Sequence, residues 1–195
     1  PSSNVNYNRT SIVSDNRLLS IDSVRHVDGS VGMVYQTYRR LMYVYSNVAL
    51  TTWTSVEIVN LNNVDDEYTY SNAINHGISV CLIDGVPAVA YVQGFTNENN
   101  LMYIRADNAN GTAWTNTPFN VLNPLYAAPY INQTGLIIMK PQPDIYGATA
   151  GLPQIAYTDY ETRLGYATFI RADGGTSATP TFGTVPSAFL NIPGY

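Results

Sequence analysis

A chain of 195 residues with a formal net charge of −5 and a single lysine, Lys140, lacks the clustered cations that phosphate contacts require, which excludes nucleic acid and anionic membrane surfaces as expected partners. With 45% hydrophobic and 12% aromatic residues, sixteen of them tyrosines, it reads as globular and long enough to bury a real core. No run of about 18 apolar residues occurs, so no membrane-spanning helix is expected. Cys81, the single cysteine, excludes an intrachain disulfide and a CxxC metal site, and within "ISVCLI" it reads as a buried thiol.

Residues 1–19, "PSSNVNYNRTSIVSDNRLL", precede the repeats and are expected to add a strand to a neighbouring unit or a partner. A start at Pro1, without methionine or leader, is expected of a processed or excised chain. The remainder, 20–195, reads as one domain of three repeats, about 20–62, 76–123 and 135–190. Each repeat opens with an apolar strand and a turn: "SVRHVDG" at 23–29, "SVCLIDG" at 79–85 and, less faithfully, "GLIIMKP" at 135–141. Asp-Gly predicts a tight hairpin with positive φ at both central residues.

Second strands follow in "SVGMVYQ", "VPAVAYV" and "LPQIAYT", each centred on a tyrosine: Tyr35, Tyr91 and Tyr157. Third strands are read at "RLMYVYS", "NLMYIRA" and "RLGYATF", from the Leu-x-Tyr cores that begin at Leu41, Leu101 and Leu164. Next come "SNVALTTW" to Trp53 and "DNANGTAW" to Trp114, then a more polar fourth strand such as "TNTPFNVL". The third repeat has "RADGGTSATPTF" instead, where Phe182 is expected to fill some of the missing tryptophan's space. Four short antiparallel strands per repeat predict an all-β fold of three propeller-like blades, a partial or shared β-propeller, because closed rings take four to eight blades. A β-trefoil-like three-repeat fold is the alternative.

The pattern GxPxxAYxx…LxYxRAxxxxGTxW resembles the repeats of Asp-box β-propellers, the sialidase-like superfamily. In "DNANGTAW" Gly111 and Trp114 match the box, Asp107 stands where its serine would, and Ala109 replaces its aspartate. In "SNVALTTW" Ser46, Thr52 and Trp53 match, while the aspartate and glycine are missing. The resemblance implies that the box is a folding element on the hairpin joining strands three and four, with ligands on the opposite face, among the loops between strands two and three.

Those loops read "QTYRR", "QGFTNENN" and "TDYETR". Their aromatics, Tyr38, Phe95 and Tyr160, stand among Arg39, Arg40, Asn97, Asn99 and Arg163, and a flat apolar face beside fixed donors and acceptors suits a glycan or a protein surface. The competing reading has the aromatics cover hairpin ends or pack between blades. A sialidase-like hydrolase would need three arginines around a carboxylate, and Arg25, Arg105 and Arg171 do not fall at matching repeat positions. Asp28 and Asp84 are assigned to turns, and Asp159 with Glu161, the one carboxylate pair on the favoured face, reads as solvated surface. His26 and His76 are far apart in sequence and read as edge or turn residues, and "DDEY" at 65–68 lacks the glycine-punctuated spacing of a calcium loop. Neither a metal nor a cofactor is expected.

Sequons at Asn8, Asn110 and Asn132 fall in loops or the terminus, where a glycan would stand in water. Together these features predict a non-catalytic structural or binding module of an extracellular or virion-surface assembly. Its expected partners are protein neighbours or further copies that complete the propeller, and glycans. The alternatives are a fragment of a sialidase-like glycoside hydrolase and a lectin.

Overall fold

A computed structural model describes residues 18–37, 40–61, 78–95, 98–122, 137–139, 151–158 and 167–182. The described residues contain no helix and form three four-stranded antiparallel sheets, each drawn from one repeat. Sheet 1 is the meander β1 (Leu18–Arg25), β2 (Val31–Thr37), β3 (Arg40–Ser46) and β4 (Trp53–Asn60). Sheet 2 is β5 (Ile78–Ile83), β6 (Val86–Phe95), β7 (Glu98–Arg105) and β8 (Phe119–Leu122). Sheet 3 is β9 (Ile137–Met139), β10 (Gln154–Thr158), β11 (Ala167–Gly175) and β12 (Pro180–Phe182). A trefoil would pair strands of neighbouring repeats across a common barrel, and no described strand is paired in that way.

The first strand of each repeat is the contact line between sheets: β1 runs beside β5, and β5 beside β9. Because β5 is an edge strand, its outward N–H groups need partners. The Asp22 carboxylate of β1 supplies one, accepting from the Val80 amide at 2.9 Å and the Ser79 hydroxyl at 3.2 Å.

Sheet 2 is buried on both faces, and the period-two alternation of its strands sorts residues between them. Ile78, Val80, Val89, Tyr91 and Ile104 pack with Val34, Leu41 and Tyr43 of sheet 1. The alternate positions, Cys81, Ile83, Ala88, Ala90, Leu101 and Tyr103, pack with Ile155 and Phe182 of sheet 3. Hence the near-continuous apolar run "ISVCLI", with Cys81 buried as expected.

Two sequence expectations change. The Asp84-Gly85 hairpin has the predicted tight turn, with φ of 53° and 75°. The Asp28-Gly29 hairpin does not: the ladder ends at Arg25↔Val31, leaving a five-residue loop in which only Gly29 has positive φ, at 94°. The Asp28 side chain explains the difference, because its Oδ1 accepts the Ser30 amide at 2.9 Å and so closes a wider turn. His26 belongs to this loop and not to the strand.

The second change is the register of the third repeat. Tyr35, Tyr91 and Tyr157 pair with Met42, Met102 and Thr168. Phe169, not Tyr166, therefore holds the ladder position of Tyr43 and Tyr103. The equivalent segments are "LMYIRA" at 101–106 and "ATFIRA" at 167–172, so Arg105 and Arg171 do share a repeat position, contrary to expectation, while Arg25 ends a first strand; the Leu164-x-Tyr166 motif lies outside the described residues.

At the tip of the β3–β4 hairpin, Leu50 adopts φ 57°, close to the 69° of Gly111 on the β7–β8 hairpin. A side chain in this left-handed conformation costs about 1–2 kcal/mol, and Leu50 is half exposed and gains little burial in return. Leu50→Gly is therefore expected to raise stability by about 0.5–1 kcal/mol, after the greater backbone freedom of the unfolded glycine chain is deducted. Chemical denaturation of the two proteins checks this.

Candidate functional site

The site grows from one buried side chain. Tyr43 of β3 is fully buried, and its space is made by two glycines. A methyl group at Gly32, on the adjacent β2, would run into the Tyr43 hydroxyl. A methyl group at Gly111, on the β7–β8 hairpin of sheet 2, would run into the ring itself. Trp114 lies against Tyr43 with ring centroids 5.5 Å apart, and its indole N–H donates to the Gly111 carbonyl at 2.7 Å.

The Tyr43 hydroxyl and His26 Nε2 are hydrogen-bonded at 2.9 Å, so the β1–β2 loop is tied to the same point. Burial holds the His26 pKa below its ordinary 6.5, against the opposing effects of the Asp28 charge and a hydrogen bond to the Ala109 backbone. Burial likewise pushes the Tyr43 phenol far above its usual range. Both groups are neutral at neutral pH.

Because unfolded His26 binds a proton more readily than folded His26, its contribution to stability is present above about pH 6.5 and lost as pH falls from there. Asp28, held below the ordinary carboxylate range by the Ser30 hydroxyl and amide, loses its contribution only as pH falls below about 4. Thermal melts from pH 8 to 5 are expected to show a falling midpoint, and His26→Gln to flatten that slope.

The second junction repeats the first. The Tyr103 hydroxyl donates to the Ser177 carbonyl at 2.7 Å, and Phe182 meets the ring edge-on at 6.4 Å. Phe182 does stand in for the tryptophan. In both cases the hairpin joining strands three and four of one sheet sits on the tyrosine of the sheet before it.

The hairpin side chains hold their own loop. Asp107 accepts from the Thr115 amide at 2.6 Å and from Asn116 Nδ2 at 2.9 Å. Asn108 and Asn47, in equivalent loops, accept the Thr112 and Thr51 amides at 2.9 and 2.8 Å. Asn110 Oδ1 accepts the Thr112 hydroxyl at 2.8 Å.

Beside this junction lies a cleft of about 420 Å³ lined by His26, Val27, Asp28, Tyr45, Gly85, Asn108, Ala109 and Asn110. It is assembled from three hairpin loops and strand β3, drawn from two sheets. Tyr45 meets His26 edge-on, with centroids 5.3 Å apart and planes at 88°, and its hydroxyl lies 3.5 Å from Asp28 Oδ2.

The cleft sits at the opposite end of the sheets from the loops in which the sequence placed ligand residues. Of those, Arg40 is described to its side chain: it starts β3 and pairs with Glu57 of β4 at 3.5 Å, both exposed. Phe95 ends β6 and Asn99 lies within β7, their side chains outside what the structure describes. Tyr38, Arg39, Asn97, Tyr160 and Arg163, the sequons Asn8 and Asn132, His76 and the "DDEY" segment lie outside the described residues. Sequence reasoning missed Tyr45 and Asn108 as cleft residues, since nothing in their local pattern announces a shared wall. No group of three or more His, Cys, Asp or Glu side chains that could hold a metal ion occurs among the described residues. The chain matches no protein-family model and no curated protein sequence.

Proposed function

We propose that this chain is a non-catalytic structural and binding module of an extracellular or virion-surface assembly, its three sheets serving as propeller-like blades that neighbouring copies or other proteins complete. The observation that carries this reading is the recurrence of one junction. Tyr43 beneath the Gly111 hairpin and Tyr103 beneath the Ser177 hairpin repeat a single step from sheet to sheet, with first strands side by side. Repetition of one step around an axis is how blades build a ring, and three fall short of the four to eight that closed rings use.

The potentially reactive side chains at the first junction serve packing. Tyr43 and His26 satisfy each other, and burial keeps both neutral. Leu50 adds a constraint on any neighbour of sheet 1. It stands where sheet 2 has Gly111, so a sheet seated against it presents something smaller than tyrosine at that place.

Light scattering tests the assembly. A mass that is a multiple of 21.4 kDa is expected, and a strict monomer at every concentration would remove completion by copies. Turnover of fluorogenic sialosides or glycosides would overturn the non-catalytic reading.

A further inference from the structure

We infer that the cleft between the first two sheets is a binding site for a neutral or amino sugar, independent of how the ring is completed. Its volume of about 420 Å³ falls within the range of small-molecule sites. Its walls combine the two surfaces that a saccharide needs. Val27, 97% exposed, and the half-buried Tyr45 ring offer apolar area to the C–H face of a pyranose. Asp28 and Asn110 offer fixed polar atoms to its hydroxyls.

Those atoms have spare capacity. Asp28 Oδ1 is committed to Ser30, while Oδ2 has only the long 3.5 Å contact with Tyr45, so it can accept from a sugar hydroxyl or ammonium group. The Thr112 bonds to Asn110 end on Oδ1, leaving the two Nδ2 hydrogens of the unglycosylated side chain to donate. His26 is neutral, and neither Lys nor Arg lines the cleft. Asp28 is the charged side chain of the lining, with the Arg25 guanidinium beside Gly29 outside it, and it disfavours carboxylated and phosphorylated ligands while admitting polyols and amines. A bare cation has no use for the Val27 and Tyr45 wall, whereas a pyranose covers it.

The test is a titration of the whole ¹⁵N-labelled chain with the methyl glycosides of glucose, galactose, mannose, N-acetylglucosamine and glucosamine. Sialyllactose and free lysine serve as the charged controls. Saturable shifts of the Gly85, Asn108 and Ala109 amides are expected with at least one neutral or amino glycoside, at millimolar strength. Val27→Asp, at a fully exposed position, is expected to abolish them with the rest of the spectrum unchanged. Asp28→Asn keeps the oxygen that accepts the Ser30 amide and is expected to weaken binding about tenfold, the loss typical of a charge-assisted hydrogen bond. The inference is overturned if no glycoside saturates these amides at tens of millimolar, if neither variant changes the affinity, or if sialyllactose or lysine binds more tightly than every neutral and amino glycoside.

Discussion

Replacing Tyr43 by alanine is expected to lower the stability of the fold by about 3–5 kcal/mol, the range for removing a fully buried aromatic side chain. Tyr43 has no exposed surface, and its ring is shared by two sheets, lying beneath Trp114 and Gly111 while filling the space left by Gly32. Its loss takes away the surface on which the β7–β8 hairpin rests. Tyr43→Phe separates packing from hydrogen bonding. The ring stays, but buried His26 Nε2 loses its partner, at an expected cost of about 1–3 kcal/mol. Urea denaturation of the wild type and both variants measures the two steps. A Tyr43→Ala cost of less than about 1 kcal/mol would be incompatible with a ring packed on all sides. The same substitution at Tyr103 is expected to fall in the same range, because it plays the same part at the second junction.

Residues with one unopposed local signal were legible from the sequence. Most of the strands follow from period-two patterning between turn residues, β11 (Ala167–Gly175) being displaced from the segment read for it, and the Asp84-Gly85 turn follows from its dipeptide. Even the exchange of tryptophan for Phe182 in the third repeat could be anticipated, and Phe182 meets Tyr103 between sheets 2 and 3 as Trp114 meets Tyr43 between sheets 1 and 2. Where the reading failed, two local signals competed. At Asp28 the dipeptide says tight turn, but the Ser30 amide and hydroxyl draw the aspartate into a wider loop. In the third repeat the Leu-x-Tyr motif at 164–166 masked the better match of "IRA" at 170–172 to "IRA" at 104–106, whose spacing of 66 residues equals that between Tyr91 and Tyr157. The cleft was not legible at all. Its residues come from positions 26–28, 45, 85 and 108–110, and only the stacking of sheet 2 on sheet 1 brings them together.

Gly111→Ala is expected to be costly for two separable reasons, and a double-mutant cycle with Tyr43→Ala tells them apart. The first reason is conformational: at φ 69° a Cβ costs about 1–2 kcal/mol. The second is steric: the new methyl group points into the Tyr43 ring, and overpacking of this kind typically costs about 1–3 kcal/mol more. Leu50 shows that the hairpin itself tolerates a side chain in this conformation, since it occupies the equivalent tip at φ 57°. What forbids one at position 111 is the neighbouring sheet. In the Tyr43→Ala background the steric part has nothing to strike, so Gly111→Ala should cost only its conformational part, and the coupling between the two sites should reach about 1–3 kcal/mol. The sign matters as much as the size: the second substitution must be less harmful once the first is made. Equal penalties in both backgrounds would mean that the hairpin does not rest on the tyrosine. The recurring step from sheet to sheet would then have to be abandoned, since the Tyr43 junction is one of its two instances.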